Sequence, residues 1–261
     1  MSDALTRKLS GYASLSPEEQ AALRAAPSQV RRVGAREDII HEGARTGGVN
    51  LVLEGFAARY KMLEDGRRQL LSYFVPGDFC DLRVFVLERM DHSIMTIAPS
   101  LMASISKEAV NDITERFPRL TRALWWSTLV EEATTREWLM NIGQRTAYER
   151  AAHLFCEICW RLRAVDLSRQ TGPDSCVFDF PVTQLELGDT LGLSAVHMNR
   201  ILQELRRDGL ITLKSGILAI LNLDTLSRVA MFDPAYLHLR DRDHGSESAP
   251  AHEHALATAR A

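Results

Sequence analysis

Apolar positions between residues 30 and 106 alternate with polar ones in short runs that glycines and prolines separate. A period of two is typical of strands whose two faces differ in exposure. Glu64-Asp65-Gly66 and Pro76-Gly77-Asp78 are typical of turns. Short strands at near-even spacing predict a compact antiparallel sandwich or barrel. The predicted strands are Val49–Leu53, Phe56–Met62, Gln69–Val75, Ile94–Ala98 and Leu101–Ser106.

Helical patterns flank this β-rich region on both sides. Ser16-Pro17-Glu18-Glu19 combines an N-cap, a proline and two acids, which predicts a helix over residues 16–26. A longer helix contains Pro118 near its start, and its large apolar residues are too closely spaced to share one face. They are Leu120, Leu124, Trp125, Trp126, Leu129, Val130, Trp138 and Leu139. One side could cover the β-domain and the other a second copy of the chain; the alternative is a central helix of a monomer.

Two capping boxes predict further helices in the second half of the chain. Thr146-Ala-Tyr-Glu149 begins a helix that we expect to end near Arg163, and Asn141-Ile142-Gly143 before it predicts an interdomain hinge. Thr183-Gln-Leu-Glu186 begins a shorter helix that ends at the turn Gly192-Leu193-Ser194.

The helix after this turn has one clean apolar face, with polar residues opposite. The apolar face consists of Met198, Ile201, Leu202 and Leu205. Two predicted strands follow, Leu210–Leu213 and Ile217–Leu221, joined by Lys214-Ser215-Gly216. Two short helices around a glycine turn, followed by a hairpin, predict a winged helix-turn-helix that binds duplex DNA.

The polar face of the second helix supplies the expected DNA contacts. Arg200 can bond guanine O6 and N7 together, a contact worth about 1–3 kcal/mol of discrimination, and Asn199 can pair with adenine. The alternatives for Arg200 are a solvated surface position or an ion pair with Glu204 one turn on. The residues expected at the bases are Ala195, Val196, Asn199, Arg200 and Gln203, and those expected at phosphates are Thr183, Ser194 and His197. For His197, a plain surface position is an equal alternative.

Composition and charge limit how the chain can bind DNA and where we expect it in the cell. The chain has 31 basic and 34 acidic residues, so DNA binding must come from local geometry and not from a global basic field. Within the motif, Arg200, Arg206, Arg207 and Lys214 balance Glu186, Asp189, Glu204 and Asp208. No secretory signal or membrane-length apolar run is visible, so we expect a cytoplasmic protein without a membrane partner. The four cysteines Cys80, Cys156, Cys159 and Cys176 are expected to be reduced thiols.

The order of these elements, over residues 15–223, resembles that of the bacterial cyclic-AMP receptor and fumarate–nitrate reduction regulators. The most specific stretch runs from Phe180 to Leu202 and continues in Asp208-Gly-Leu-Ile. The resemblance implies an α+β fold with an N-terminal antiparallel β-roll of the cyclic-nucleotide-binding type, a long dimerisation helix and a C-terminal winged helix-turn-helix. Ala195 and Val196 stand where the family often has arginine and glutamate, which predicts a different operator.

The resemblance also implies a division of the chain and a function. We expect a β-roll over residues 15–115, the long helix and hinge over 116–145, the winged helix-turn-helix over 146–223, a terminal helix over 224–240 and a disordered tail over 241–261. The tail histidines, His244, His252 and His254, are expected to be solvated and not to bind metal. The expected function is that of a homodimeric transcription regulator and not of an enzyme, with a palindromic operator and RNA polymerase as partners.

The family's effector pocket corresponds here to Gly77, Asp78, Cys80, His92, Ser93 and Thr135. The family's cyclic-phosphate partner is an arginine beside a serine, whereas this chain has Asp91-His92-Ser93. A buried phosphate beside Asp91 would be poorly compensated, which argues against cyclic AMP. The effector is therefore expected to be an unknown small molecule or to be absent.

The cysteines and histidines leave further alternatives open. No cofactor is predicted, although Cys80, His92 or His41 could bind haem, and a thiol-based redox response is another alternative. The first cysteine is Cys80, so the N-terminal cysteines of the family's iron–sulfur branch are absent. Cys156-Glu-Ile-Cys159 could indicate a thiol oxidoreductase, but its position in mid-helix favours a packing role.

Overall fold

A computed structural model of the chain describes residues 4–45, 47–82, 86–87, 89–172 and 174–239. The predicted tail over 241–261, its three histidines and the last residue of the predicted terminal helix lie outside these residues. None of the helices in the described ranges combines the length and the apolar character that crossing a bilayer requires.

Two antiparallel sheets form the N-terminal domain. Its strands are β1 Gln29–Val33, β2 Asp38–Ile40, β3 Gly48–Glu54, β4 Ala57–Met62, β5 Arg68–Phe74, β6 Ser93–Thr96 and β7 Ser100–Ser106. One sheet has the order β1-β7-β3 and the other β2-β6-β4-β5. The five predicted strands and their antiparallel pairing are confirmed. The prediction missed β1, which is almost wholly exposed, and β2, which has only three residues, because neither shows a clear hydrophobic alternation.

Four helices surround this β-roll: α1 Ala4–Ser10, α2 Pro17–Ala25, α3 Lys107–Arg116 and α4 Pro118–Gln144. The predicted capping box of α2 is confirmed, since Ser16 and Glu19 bond each other's backbone N–H groups. The prediction missed α1, a seven-residue helix whose Leu5 and Leu9 are buried in the core of the β-roll. A helix this short gains its stability from tertiary packing.

The three residues of the predicted hinge, Asn141-Ile142-Gly143, lie inside α4 and not in a break between two helices. Asn141 is buried, and its amide lies 3.1 Å from Nδ1 of His153. The helix ends instead at Arg145, whose backbone is extended and whose side chain bonds Oδ1 of Asn141 and the carbonyl of Ala230. Contacts with the next domain thus extend α4 beyond the point where the sequence suggested a break.

The C-terminal domain follows directly. Its elements are α5 Ala147–Ala164, β8 Cys176–Asp179, α6 Gln184–Leu191, α7 Ala195–Arg207, β9 Ile211–Lys214, β10 Ile217–Ile220 and α8 Leu223–Ala230. The predicted helix-turn-helix and wing are confirmed, and both predicted capping boxes are present. The wing belongs to a three-stranded sheet of order β8-β10-β9, whose strand β8 was not predicted.

The predicted terminal helix over 224–240 is wrong in its length. The helix α8 ends at Ala230, where Met231 adopts a left-handed conformation. A separate 3₁₀ turn, Pro234–Leu237, begins after Asp233, whose carboxylate accepts a hydrogen bond from the N–H of Ala235. This turn packs on α4.

The expectation of four reduced thiols is also wrong, because Cys159 and Cys176 form a disulfide. This bond joins α5 to β8 across 17 positions of the chain. Cys80 and Cys156 are free and buried. The sequence did not indicate this pairing. Cys159 forms a C-x-x-C pattern with Cys156, whereas its partner Cys176 lies in β8, a strand that the sequence did not predict.

A continuous apolar core connects the two domains. Leu70 and Tyr73 of β5 share one cluster of buried side chains with Phe180 and Leu187 of the C-terminal domain. The hydroxyl of Tyr73 lies 2.6 Å from Oγ1 of Thr190. The helix α6 is thus held against the β-roll, and α7 packs on α6.

Candidate nucleic-acid interface

The turn between α6 and α7 is shaped by two glycines and a serine. Gly192 has a φ of +67°, which favours glycine, and a Cβ on Gly188 would lie 2.5 Å from the carbonyl oxygen of Leu193. Ser194 caps α7 by accepting a hydrogen bond from the N–H of His197. These local constraints set the angle between the two helices. The close approach at Gly188 is a structural role that sequence reasoning did not assign.

The helix α7 turns its apolar face inward and its predicted reading face outward. All four predicted apolar residues are buried against the domain core. Val196 is 83% exposed, and Arg200 and Gln203 are also exposed. Burial of one face thus leaves the N-terminal half of the helix accessible to a groove of DNA.

Hydrogen bonds join part of this reading face into a chain. Asn199 donates to Oε1 of Gln184 (2.9 Å), and Gln203 donates to Oδ1 of Asn199 (2.9 Å). Sequence reasoning did not single out Gln184, although its place one residue after the cap of α6 makes it a neighbour of α7. Among the described residues no ion pair joins Arg200 to Glu204, so the guanidinium of Arg200 is available.

The predicted phosphate contacts also have structural roles. The hydroxyl of Thr183 accepts from the N–H of Glu186 and lies 2.8 Å from its carboxylate, while Ser194 caps α7. Both residues remain exposed, and His197 is partly exposed. The contacts of these residues and of Ala195 with DNA stay predictions.

Tertiary contacts alter the electrostatics of the motif. Glu186 is ion-paired with Arg36 (3.1 Å) and Asp189 with Arg68 (2.8 Å), so two of its acids face arginines of the β-roll. The four basic residues of the motif, in contrast, are on exposed or partly exposed positions. The reading side is therefore more positive than the balanced count of charges in the sequence suggests.

The six residues expected in an effector pocket do not meet in one place. Asp78 is buried in ion pairs with Lys8 and with Arg161 (2.6 Å), which link α1, the β-roll and α5. Gly77 approaches the backbone of Ala4, and Thr135 is exposed on α4. The other three, Cys80, His92 and Ser93, are buried in the β-roll.

A buried arginine that sequence reasoning missed, Arg59, contacts two of these three residues. Arg59 of β4 donates through Nε to Nε2 of His92 (2.9 Å) and through Nη2 to the carbonyl of Cys80 (3.2 Å). Its Nη1 forms an ion pair with Glu131 of α4. The first four residues of β4 are all buried, and Arg59 is the charged residue among them. An arginine within an apolar run was the one signal in the sequence.

The surroundings of His92, His41 and the two free cysteines argue against haem binding and against reactive free thiols. Both ring nitrogens of His92 are engaged, by Arg59 and by Asp91 (2.7 Å), while His41 lies at the surface beside Asp38. Burial raises the pKa of the Cys80 thiol well above its usual value, which disfavours the reactive thiolate. Burial likewise raises the pKa of Cys156 to about 12. Among the described residues no group of three potential ligands could hold a metal ion.

Comparison with known proteins matches both halves of the chain. A model of the Crp-like helix-turn-helix domain matches residues 149–229, and one of the cyclic nucleotide-binding domain matches residues 30–117. The transcriptional activator protein FnrL of Cereibacter sphaeroides is 30% identical over 184 residues, which cover 70% of this chain and 73% of that protein. The chain belongs to the cyclic-AMP receptor and fumarate–nitrate reduction regulator family of transcription factors.

Other members of this family show the same architecture. The nitrogen fixation regulation protein FixK of Bradyrhizobium diazoefficiens is 28% identical over 71% of this chain and 75% of its own. The solved structure of FixK2 from Bradyrhizobium japonicum superposes with a TM-score of 0.68 at 23% identity, covering 77% of this chain and 96% of that one. The α+β fold of β-roll, long helix and winged helix-turn-helix is thus confirmed.

Two cavities bear on the family's effector, one inside the β-roll and one between the β-roll and the helices α4 and α5. The space beside Arg59, lined also by Asp81 and His92, has a volume of about 10 Å³, whereas small-molecule sites typically measure about 300–1,000 Å³. A second cavity of about 60 Å³ lies between β5, α4 and α5, and the buried hydroxyl of Ser72 on its wall has no hydrogen-bond partner among the described residues.

Proposed function

We propose that this chain is a homodimeric, sequence-specific regulator of transcription that reads a palindromic operator through α7. The observation that carries the proposal is the exposed polar face of α7, with a free arginine at its centre and the acids of α6 turned to the β-roll. Because Val196 replaces an acidic reader, the operator differs from the usual one of the family.

An open stripe on α4 supports the dimer. Its residues follow one another at alternating intervals of three and four: Arg122, Trp125, Leu129, Glu132, Arg136, Leu139 and Gly143, all exposed. Trp125, Leu129 and Leu139 are 70%, 58% and 72% exposed, which is unusual for large apolar side chains in a row. This spacing is that of a coiled-coil seam, so a second copy of α4 is the proposed partner.

The two adjacent tryptophans of α4 differ in how far their own chain covers them. Trp126 stacks on Tyr12 with ring centroids 6.3 Å apart and meets His238 edge-on at 6.1 Å, so its own chain covers part of it. Trp125 has no such cover among the described ring contacts and is the better anchor. The family further suggests RNA polymerase as a partner, since relatives such as FnrL are named transcriptional activators. We assign no enzymatic reaction to the chain.

The proposal is tested by operator binding. Genomic fragments bound by the full-length protein are selected, and Arg200→Ala is measured against the selected duplex by fluorescence anisotropy. We expect a loss of about 1–3 kcal/mol of binding free energy and relaxed preference at one base position in each half-site.

A matched control is Arg116→Ala, which removes an exposed arginine of α3 that pairs with Asp112 at 3.0 Å. This variant should bind as the wild type does. Equal binding by the Arg200→Ala variant would contradict the assignment of α7, and the absence of any selected fragment would contradict the proposed function as a whole.

A further inference from the structure

The guanidinium of Arg59 lies inside the β-roll where a ligand of this family would be sought. It contacts two of the six residues that the resemblance placed in the effector pocket, His92 through its ring and Cys80 through its carbonyl. It also packs over the ring of Phe74, 5.1 Å from the ring centroid. All three nitrogens of the guanidinium therefore have partners within the protein.

The charges around Arg59 are mainly negative, so they stabilise its guanidinium and disfavour an anionic ligand. Asp81 and Glu131 both face the guanidinium, and Asp91 holds the far nitrogen of His92. The second cation on this wall, Arg89, donates to the carbonyl of Gly43 at 3.0 Å and so faces another loop. A cyclic phosphate placed here would meet three carboxyl groups and would have to displace the partners of Arg59.

The ion pair of Arg59 with Glu131 joins the β-roll to the long helix. Arg59 lies in the sheet of the β-roll, whereas Glu131 lies on α4, within one turn of Leu129 and Glu132 in the open stripe. A buried ion pair between a sheet and a helix fixes the position of one against the other. The pair thus connects the β-roll directly to the long helix α4.

We infer that Arg59 and Glu131 form a built-in clamp that takes the place of a small effector and holds the protein in its DNA-binding arrangement. The clamp makes operator binding independent of cyclic nucleotides and of other small molecules. Arg59 and Glu131 are positioning residues, since neither lies on the reading face of α7. The inference rests on the proposed function, because its readout is operator binding.

The experiment compares four full-length proteins by anisotropy with the selected operator: the wild type, Arg59→Met, Glu131→Gln and the double variant. Each is measured alone, with cyclic AMP, with cyclic GMP and with a small-molecule extract of cells. We expect the wild type to bind equally in all four conditions. Each variant should bind about 5–150-fold more weakly, the range typical of coupling between sites, and the double variant should be no weaker than the single ones.

The control is Arg119→Met, which breaks another ion pair between α4 and the rest of the domain, to Glu19 at 3.2 Å. It tests whether loss of any such pair weakens binding, and we expect operator affinity like that of the wild type. Melting temperature and light scattering are recorded for every variant, so that unfolding or loss of the dimer is separated from loss of the clamp.

Two results would overturn the clamp while leaving the proposed function intact. One is a wild type that binds the operator only with a cyclic nucleotide or with the extract, which would point to a ligand, for instance in the cavity beside Ser72. The other is operator affinity that Arg59→Met and Glu131→Gln leave unchanged in folded protein, or that they strengthen. A wild type that binds no selected duplex would instead remove the proposed function.

Discussion

Asp81 shows at the scale of one residue how burial opposes charge in the β-roll. Its carboxylate accepts hydrogen bonds from the N–H and the amide of Asn50, at 2.7 and 3.0 Å. Burial nevertheless dominates and raises its pKa from 3.8 to about 6. The folded state therefore holds this proton more tightly than the unfolded chain does, and deprotonation through pH 6 weakens the fold.

The resulting stability change has a defined sign. The contribution of the protonated carboxyl is fully present below the unfolded pKa and is lost as the pH rises through about 6. Between pH 4 and pH 7 the free energy of unfolding of the wild type should fall by about 2 kcal/mol relative to that of Asp81→Asn. Denaturant unfolding at both pH values measures this difference.

The control is Asp65→Asn, which alters an exposed aspartate paired with Arg67 in the hairpin turn after β4. For this variant the difference from the wild type should change little with pH. A pH-independent difference for Asp81→Asn would contradict the raised pKa of its carboxyl.

At the scale of the element, β8 is a segment whose sequence pattern is too short to predict a strand and which its neighbours hold in place. It has four residues, pairs with β10 and is bonded through Cys176 to Cys159 of α5. Both cysteines are fully buried. The disulfide thus joins the wing sheet to the first helix of the DNA-binding domain.

Removal of this bond should destabilise the domain without abolishing its fold. A disulfide that closes a loop of this size contributes about 3 kcal/mol, largely by restricting the unfolded chain. The wild type is unfolded in denaturant with a strong reductant, so that the buried bond is reached, and is then refolded with the reductant still present. We expect its melting temperature, measured by circular dichroism, to be lower than that of the untreated protein. The variant Cys159→Ala/Cys176→Ala should melt near the reduced wild type and show no response to reductant. A wild type that melts identically with and without reductant, with free thiols counted in both, would show that the bond adds no stability.

At the scale of the whole molecule, one interdomain core and one open stripe divide the surface of α4. Trp138 is buried and its indole N–H donates to Glu157 of α5 at 2.9 Å, which ties the helix to its own DNA-binding domain. The opposite side carries Trp125, Leu129 and Leu139. The helix therefore has two apolar sides. One is buried within its own chain, and the other is exposed and available to a partner.

The dimer follows from this division and is testable by light scattering. Leu129→Asp places a charge in the middle of the proposed seam, where its desolvation would cost several kcal/mol, so we expect the variant to be monomeric. Its operator affinity should fall as well, because two half-sites are no longer bound together.

Leu63→Asp serves as the control, since Leu63 is an exposed apolar residue near the hairpin turn after β4 and away from the stripe. This variant should remain dimeric. A monomeric wild type, or a dimeric Leu129→Asp variant, would contradict the seam.

The sequence by itself determined the elements whose signals are local. The caps at Ser16, Thr146 and Thr183, the glycine turn at Gly192 and the apolar face of α7 all depend on residues within a few positions of one another. Each of these predictions is confirmed in the structure. The winged helix-turn-helix was predictable for the same reason, because its helices, turn and hairpin are consecutive along the chain.

Only the tertiary structure decided the features that depend on distant partners. Asn141 continues a helix because Arg145 and His153 hold it, and Cys159 bonds a strand that has too few residues to show a period. Arg59 reaches His92, Cys80 and Glu131 across 21 to 72 positions of the chain. The energy of burying a charge depends on what surrounds it in space, and a one-dimensional pattern does not contain that information.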